Sequence, residues 1–253
     1  MNEPISPGRQ VLLLISLIIG GLLIAGPLLF ILFVPLFGEV DLEHLTEDMN
    51  VYQGLLMFAC SQLGMIILPF FVFLKVTGQK FRDVIHFDGW KIKTFGLVIA
   101  ALILGFLASY LLADLNYYLV EQMPDSGFLE MKEASELQMM GWFTQENQNL
   151  FPVALIVVAL MPAIVEELVF RGLLQTKLIQ ASNDNVHFGV IVSGTIFAAL
   201  HMQAWNLLPM IALGVLFGYV YHYTKDIRYT MFMHFIFNGV QISFMFFAPE
   251  LVG

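Results

Sequence analysis

The feature that most constrains this chain is a series of seven apolar stretches that together make up most of its length. A stretch of about 18 apolar residues is long enough to cross a bilayer as a helix, which satisfies its own backbone hydrogen bonds in lipid. Only 12% of the residues are charged and 58% are hydrophobic, whereas a soluble domain carries about twice that charged fraction. The sequence therefore predicts an all-α, polytopic bundle of about seven transmembrane helices. The predicted spans cover residues 11–37, 52–74, 95–118, 150–178, 186–202, 207–223 and 229–247.

The basic residues alternate from one side of the predicted membrane to the other. The loops after the first and third spans are acidic and nearly free of Lys and Arg, and the other loops hold most of the basic residues. By the positive-inside rule, this pattern predicts a cytoplasmic N-terminus and suits a bacterial inner (plasma) membrane. Because no basic patch is interleaved with aromatic residues, a nucleic-acid partner is not expected. The basic residues on the predicted cytoplasmic side are Arg9, Lys75, Lys80, Arg82, Lys91, Lys93, Lys177, Lys225 and Arg228.

Ionisable residues inside the spans are concentrated in the C-terminal half of the chain. Buried ionisable groups are costly in a membrane and tend to mark functional cavities. We therefore expect residues 1–149 to form a three-span scaffold with acidic external loops and residues 150–253 to form the catalytic core, within one membrane domain overall. Residues 128–142, in the loop after the third span, fit either an amphipathic surface helix or a plain loop.

Two adjacent carboxylates, Glu166 and Glu167, lie in the middle of the fourth span. Glu167 and Arg171 are four residues apart and can pair on one face of a helix, which favours a structural ion pair. Glu166 is turned by about 100° from that face. Pro162, four residues before Glu166, removes a backbone hydrogen bond and predicts a kink near the acidic pair.

Two further pairs of residues with a spacing of four lie in later spans. Phe197 and His201 lie in the fifth span, and His234 and Asn238 lie in the seventh. Each of these polar residues alone is typical of a hydrogen-bonded core position, but together with Glu166 they form a set that can act on a water molecule and an oxyanion. The residues favour a hydrolase; a transporter or proton relay and a non-catalytic binding protein stay open.

Three motifs now give a resemblance to a known family. Glu-Glu-x-x-x-Arg at 166–171, Phe-x-x-x-His at 197–201 and His-x-x-x-Asn at 234–238 occur in the order and on the successive apolar spans seen in the CPBP intramembrane proteases. That family includes the type II CAAX prenyl endopeptidases and the bacteriocin-processing or self-immunity proteins. The resemblance covers about residues 150–247, and the first three spans are similar only in being apolar.

The resemblance implies a membrane-embedded endopeptidase and a role for each matching residue. Glu166 would be the general base for the attacking water, helped by His201, and His234 and Asn238 would stabilise the oxyanion. The supporting residues would be Glu167, Arg171 and Phe197. The implied substrate is a peptide or membrane-protein segment within a lipid bilayer, and a lipid-modified substrate is included among the options. The alternative functions are proton-coupled transport and non-catalytic self-immunity.

The resemblance also bears on cofactors, because members of the family were first described as metalloproteases. A carboxylate and two imidazoles, here Glu166, His201 and His234, can bind zinc. The chain lacks the His-Glu-x-x-His spacing that holds zinc on one helix. We therefore expect no metal, with zinc as the alternative.

Overall fold

The computed structural model describes residues 5–38, 49–89, 91–123, 126–143 and 145–249, and all regular structure within these ranges is helical. The predicted all-α class is therefore confirmed. Six of the helices in these ranges are long and apolar enough to cross a membrane, which makes the chain an integral, multi-pass membrane protein. The helices are α1 (Pro7–Phe37), α2 (Val51–Thr77), α3 (Phe81–Val84), α4 (Ile92–Glu121), α5 (Phe128–Trp142), α6 (Glu146–Ala181), α7 (Val186–Leu200), α8 (Ala204–Thr224) and α9 (Ile227–Phe247).

The fifth predicted span, which is as short as the sixth, forms α7. Its 15 residues rise about 22 Å, which is less than the roughly 30 Å hydrocarbon core of a bilayer. The helix ends at Leu200 rather than at Met202 because Met202 has a φ of 56°, in the left-handed region. His201 is therefore the residue that caps the helix.

The helix α5 settles one of the alternatives that the sequence left open. Residues 128–142 form a regular helix of 15 residues rather than a plain loop. Its last residue, Trp142, is buried and donates a hydrogen bond from its indole nitrogen to the carbonyl of Met49 at 2.7 Å.

Three of the long helices, α1, α2 and α6, contain four stretches of π-helix in total, two of them in α6. A π-helix has about one residue more in each turn than an α-helix. Three of the stretches, Gly21–Ala25, Gln62–Ile67 and Leu155–Leu160, each end two residues before a proline. A proline cannot donate the usual backbone hydrogen bond, and a π turn is one way for a helix to absorb that loss. Next to Pro162, the predicted disturbance of the fourth span thus takes the form of a π turn. The fourth stretch, Leu168–Gln175, has no proline after it and directly follows the acidic pair.

The described contacts divide the chain into two compact units, and two of the boundaries between them fall inside long helices next to candidate site residues, before Glu166 and after Met233. The first unit comprises Met1–Leu12, Thr77–Glu133 and Glu166–Met233. Its centre is the close approach of α7 and α8, where a side chain at either Gly194 or Gly214 would meet the backbone of the other helix. Small residues at such positions let membrane helices pack backbone to backbone.

The second unit comprises Leu13–Val76, Ala134–Val165 and His234–Gly253. In this unit, α1 and α2 approach each other at Gly21 and Gly64, where an added Cβ would collide with the opposite backbone. An aromatic cluster around Trp142 and Phe246 fills the rest of the core. The functional division predicted at residue 149 concerns where the chemistry lies, and it stays a prediction.

Candidate active site

The acidic pair lies at the junction between α-helix and π-helix in α6. Glu166 and Glu167 are the last two residues of the α-helical stretch that begins at Met161. Both side chains are buried, with exposed fractions of 3% and 0%. Because burying a carboxylate in a membrane protein is costly, each needs a compensating interaction or a function.

Arg171 is the compensating interaction for Glu167. Its Nη1 atom lies 3.2 Å from Glu167 Oε1, and both side chains are almost completely buried. The guanidinium also donates a hydrogen bond to the carbonyl of Gly214 at 3.2 Å and lies 5.1 Å and 5.5 Å from the ring centres of Phe197 and Phe217. The ion pair predicted from the spacing of four residues is thus present, and it joins α6 to α7 and α8.

The charges of both glutamates act on Arg171, and the charge of Glu167 acts more strongly than that of Glu166. The arginine lies in the π-helical stretch, whose wider turn changes the direction of every side chain that follows it. The hydroxyl of Thr176 donates to the carbonyl of Arg171 at 3.1 Å, five residues back. Stretches of π-helix are frequent at functional sites, and this one lies next to the candidate base.

His201 lies at the C-terminal end of α7 and is half-buried. Its Nδ1 atom is 2.8 Å from the carbonyl oxygen of Phe197. Because a carbonyl oxygen can only accept, Nδ1 carries the hydrogen in this bond. In the neutral imidazole, the lone pair then lies on Nε2, which can accept a proton or a hydrogen bond.

Phe197 is the residue through which the acidic pair and His201 are connected. Its ring centre lies 4.6 Å from the His201 ring and 5.1 Å from the Phe170 ring, and Arg171 lies over its face. Ser193, one turn earlier on α7, donates to the carbonyl of Phe170 at 3.2 Å. The motif Phe-x-x-x-His therefore corresponds to a packed contact between α6 and α7 within the first unit.

Asn116 is a buried residue that the sequence did not single out, and it holds the segment after His201. Its side chain donates to the carbonyl of Ala204 at 2.9 Å and accepts from the backbone N–H of Leu208 at 2.8 Å. It thus joins α4 to the start of α8. The signal for Asn116 in the sequence is that it is a single amide inside a long apolar helix. Its neighbour Asp114 is exposed.

His234 and Asn238 lie one turn apart on α9, in the second unit. His234 is 5% exposed and Asn238 is half-buried. The adjacent Gly239 lies against Leu155, in the π turn that precedes Pro162 on α6. The structure therefore brings Glu166, Glu167, Arg171, Phe197 and His201 together in one unit and describes the His-x-x-x-Asn pair in the other.

The start of α9 is fixed by contacts that the sequence did not predict. The backbone N–H of Ile227 donates to the carbonyl of His86 at 3.3 Å, and the Tyr229 hydroxyl accepts from the backbone N–H of Lys91 at 2.9 Å. Arg228 lies 4.7 Å from the ring centre of Phe87 and binds the buried carboxylate of Asp226 at 2.6 Å. The segment between α3 and α4 is therefore docked on the turn that leads into the His234 helix.

A zinc site would need several ligand side chains held close together. No group of three or more His, Cys, Asp or Glu side chains within the described ranges is arranged to hold a metal ion. The zinc alternative, with Glu166, His201 and His234 as ligands, stays a prediction.

These observations define a class: an integral, all-α membrane protein with a buried Glu–Arg pair linked through an aromatic ring to a histidine with an available ring nitrogen. Comparison with known proteins confirms the family resemblance. Residues 148–240, which include every candidate site residue, match the family described as type II CAAX prenyl endopeptidase Rce1-like.

Three curated bacterial proteins are similar to parts of the chain. The uncharacterized protein YpbD of Bacillus subtilis is 31% identical over 128 residues, which is 44% of this chain and 62% of that protein. The putative membrane peptidase YdiL of the same species is 31% identical over 87 residues, which is 34% and 35% of the two chains. The membrane-embedded CAAX protease MroQ of Staphylococcus aureus is 26% identical over 103 residues, which is 39% and 42%. The chain thus spans less than two thirds of these relatives, and no solved structure matches it.

Proposed function

We propose that this protein is a membrane-embedded endopeptidase whose attacking water is activated by Glu166. The observation that carries the proposal is the division of the acidic pair. Arg171 binds Glu167 at 3.2 Å, and Glu166 lies next to it on a different side of the same helix. A buried carboxylate that is not the arginine's main partner is suited to accept a proton from water.

In the proposed reaction, Glu166 takes one proton from a water molecule as the water oxygen bonds to the carbonyl carbon of the scissile peptide. The Nε2 atom of His201 accepts the other O–H of that water and orients it. Side-chain N–H groups of His234 and Asn238 donate to the oxyanion that forms. Glu166 then gives its proton to the leaving nitrogen as the C–N bond breaks.

The proposed site is metal-free. Its two histidines and its glutamate lie on three different helices rather than on one helix with the spacing typical of zinc peptidases. Activity of the purified protein should therefore survive a strong chelator, and the protein should carry no stoichiometric zinc. Loss of cleavage on chelation, with recovery on adding zinc, would reverse this part of the proposal.

We propose as substrate a peptide or a segment of a membrane protein, presented within or beside the bilayer. YdiL and MroQ bear names that describe membrane peptidase or CAAX protease activity, and a lipid-modified substrate is the narrower alternative. We place the protein in a bacterial plasma membrane with its N-terminus in the cytoplasm, on the basis of its basic loops. Reporter fusions after Arg9 and after Lys225 should both be cytoplasmic.

The decisive experiment replaces Glu166 with Gln, which keeps the size and shape of the side chain. Membrane peptides from cells that carry the wild-type or the variant protein are compared, and the accumulating substrate is then assayed with purified protein in lipid nanodiscs. Loss of a general base should lower cleavage about 10²–10⁴-fold. Asp114→Asn is the matched control, because it also removes a carboxylate from a membrane helix, but from an exposed position.

Other outcomes would support the functions that the sequence left open. Full cleavage by a folded Glu166→Gln variant would refute the role of Glu166. Substrate-dependent flux in liposomes that survives the same change would favour a transporter. Immunity to a bacteriocin retained by the variant would favour a non-catalytic binding protein.

A further inference from the structure

A cavity lies at the opposite end of the first unit from His201, where α6 and α8 both end. Its volume is about 270 Å³, and its wall includes Gln175 and Tyr221. Ligand sites for drug-sized molecules have volumes of about 300–1,000 Å³, so this cavity suits a small group. None of its lining residues belongs to the proposed active site.

The wall of the cavity contains a buried acceptor without a donor. Gln175 is 2% exposed and donates from its Nε2 atom to the carbonyl of Gly218 at 3.0 Å. Its Oε1 atom accepts no hydrogen bond from any residue in the described ranges. Since buried polar atoms are nearly always paired, this oxygen indicates a ligand that brings an N–H or O–H group.

The rim of the cavity carries both signs of charge. Lys225 and His222 lie on one side, with Lys225 Nζ 3.2 Å from His222 Nδ1, and His86 lies nearby on the same lining. Asp184 is exposed and adds a carboxylate. The C-terminal ends of α6 and α8 add the negative ends of two helix dipoles. This mixture suits a zwitterion better than a simple anion.

The depth of the cavity indicates where the zwitterion comes from. Gln175 and Tyr221 lie in the last two turns of α6 and α8, at the predicted boundary between the membrane and the cytoplasm. Tyr219 and Tyr223, which stack with ring centres 6.3 Å apart, are typical of the aromatic belt at that depth. Phospholipid head groups occupy this layer of the bilayer.

We propose that this cavity binds the phosphoethanolamine head group of a phospholipid. The phosphate contacts Lys225 and His222, and the ammonium group enters the cavity and donates a hydrogen bond to Gln175 Oε1. Asp184 balances the charge of the ammonium. A choline head group has the same charges but no N–H donor, so the site should distinguish the two.

The test measures lipid binding by native mass spectrometry of the full-length protein released from nanodiscs. The nanodiscs contain phosphatidylethanolamine, phosphatidylcholine and phosphatidylglycerol with identical acyl chains. We expect a preference of roughly tenfold for phosphatidylethanolamine over phosphatidylcholine, corresponding to one hydrogen bond with a charged donor. Equal retention of these two lipids, or a preference for phosphatidylglycerol, would overturn the proposal.

Two rim variants keep the test independent of folding. Asp184 and Lys225 have φ values of 60° and 53°, a region that Asn tolerates, so Asp184→Asn and Lys225→Asn remove the charges without straining the turns. The first should reduce the preference for ethanolamine, and the second should weaken all three phospholipids. Lys177→Gln is the control, because Lys177 lies at the same end of α6 but does not line the cavity.

A last arm of the experiment separates the lipid from a soluble ligand of the same chemistry. Free O-phosphoethanolamine is added to the nanodiscs in millimolar excess. Retention of the lipid supports the proposal, and displacement by the soluble compound would assign the cavity to a cytoplasmic metabolite instead. Wild-type binding by both rim variants would show that the cavity is not the site.

Discussion

Replacing Glu167 with Gln should destabilise the protein far more than replacing Glu166 with Gln. Both changes exchange a carboxylate for an amide of the same shape at a buried position on the same helix. Only the first removes the charge that lies 3.2 Å from the Arg171 guanidinium. The arginine keeps its hydrogen bond to Gly214 and its two aromatic neighbours, none of which carries a negative charge.

The magnitude follows from the distance between the two charges. At 3.2 Å and an effective dielectric constant of about 20, the attraction is about 5 kcal/mol. Breaking a buried ion pair by removing one partner generally costs about 3–5 kcal/mol, because an uncompensated charge stays inside. The charge of Glu166 also acts on Arg171, so we expect a loss near 3 kcal/mol for Glu167→Gln and about 1 kcal/mol or less for Glu166→Gln.

The free energy of unfolding is measured in bicelles by reversible denaturation with an anionic detergent. A double-mutant cycle with Arg171→Met then isolates the pair, since Met fills part of the arginine's volume and carries no charge. In the Glu167→Gln background, Arg171→Met should cost much less than it does alone. Glu130→Gln on the exposed side of α5 is the control. If Glu167→Gln lowers stability by less than about 1 kcal/mol, or if the two changes are additive, Arg171 is not held by this ion pair.

Two further predictions concern packing and pH. Gly194→Ala should lower stability by about 1–3 kcal/mol, because the new methyl group would lie 2.8 Å from the backbone nitrogen of Val215. Gly141→Ala is the control, because a methyl group there meets open space. In thermal unfolding this control should be neutral or slightly stabilising. Burial raises the pKa of Asp226, but the hydrogen bonds and charge of Arg228 outweigh it and hold that pKa below its usual value. The stabilisation that ionised Asp226 gives to the folded state should therefore be complete above the unfolded pKa of about 3.9. It should be lost as the pH falls through the lower folded pKa. In the Asp226→Asn variant, the free energy of unfolding should lack this pH dependence.

The parts of the site that sequence predicted correctly are those that depend on local spacing. Glu167 and Arg171 are four residues apart, and four residues bring two side chains to one face of a helix whatever surrounds it. For residues 128–142 the sequence leaves an amphipathic helix and a plain loop as alternatives, and the segment forms a helix. The family match covers residues 148–240, a range that includes the three motifs.

The parts that sequence did not predict depend on contacts between distant segments or on small changes in backbone geometry. Asn116 binds Ala204 and Leu208 across about ninety positions of the chain, and no spacing rule connects them. No proline follows the π turn after Glu167, so the sequence gives no signal for this turn. The sequence places the end of α7 two residues late, because the left-handed φ of Met202 is unusual for residues other than Gly, Asn and Asp. The catalytic roles of Glu166, His201, His234 and Asn238 stay predictions.

The paired hydrogen bonds between α6 and α8 determine how these two helices can move. Arg171 and Gln175 are four residues apart and donate to the carbonyls of Gly214 and Gly218, which are also four residues apart. A slide of one helix past the other by a single turn, about 5.4 Å, would bring Arg171 opposite the wrong glycine and leave one donor without an acceptor. These two hydrogen bonds therefore fix the register of α6 against α8. If the proposed endopeptidase opens to admit a substrate, we expect residues 171–175 of α6 and 214–218 of α8 to keep this register.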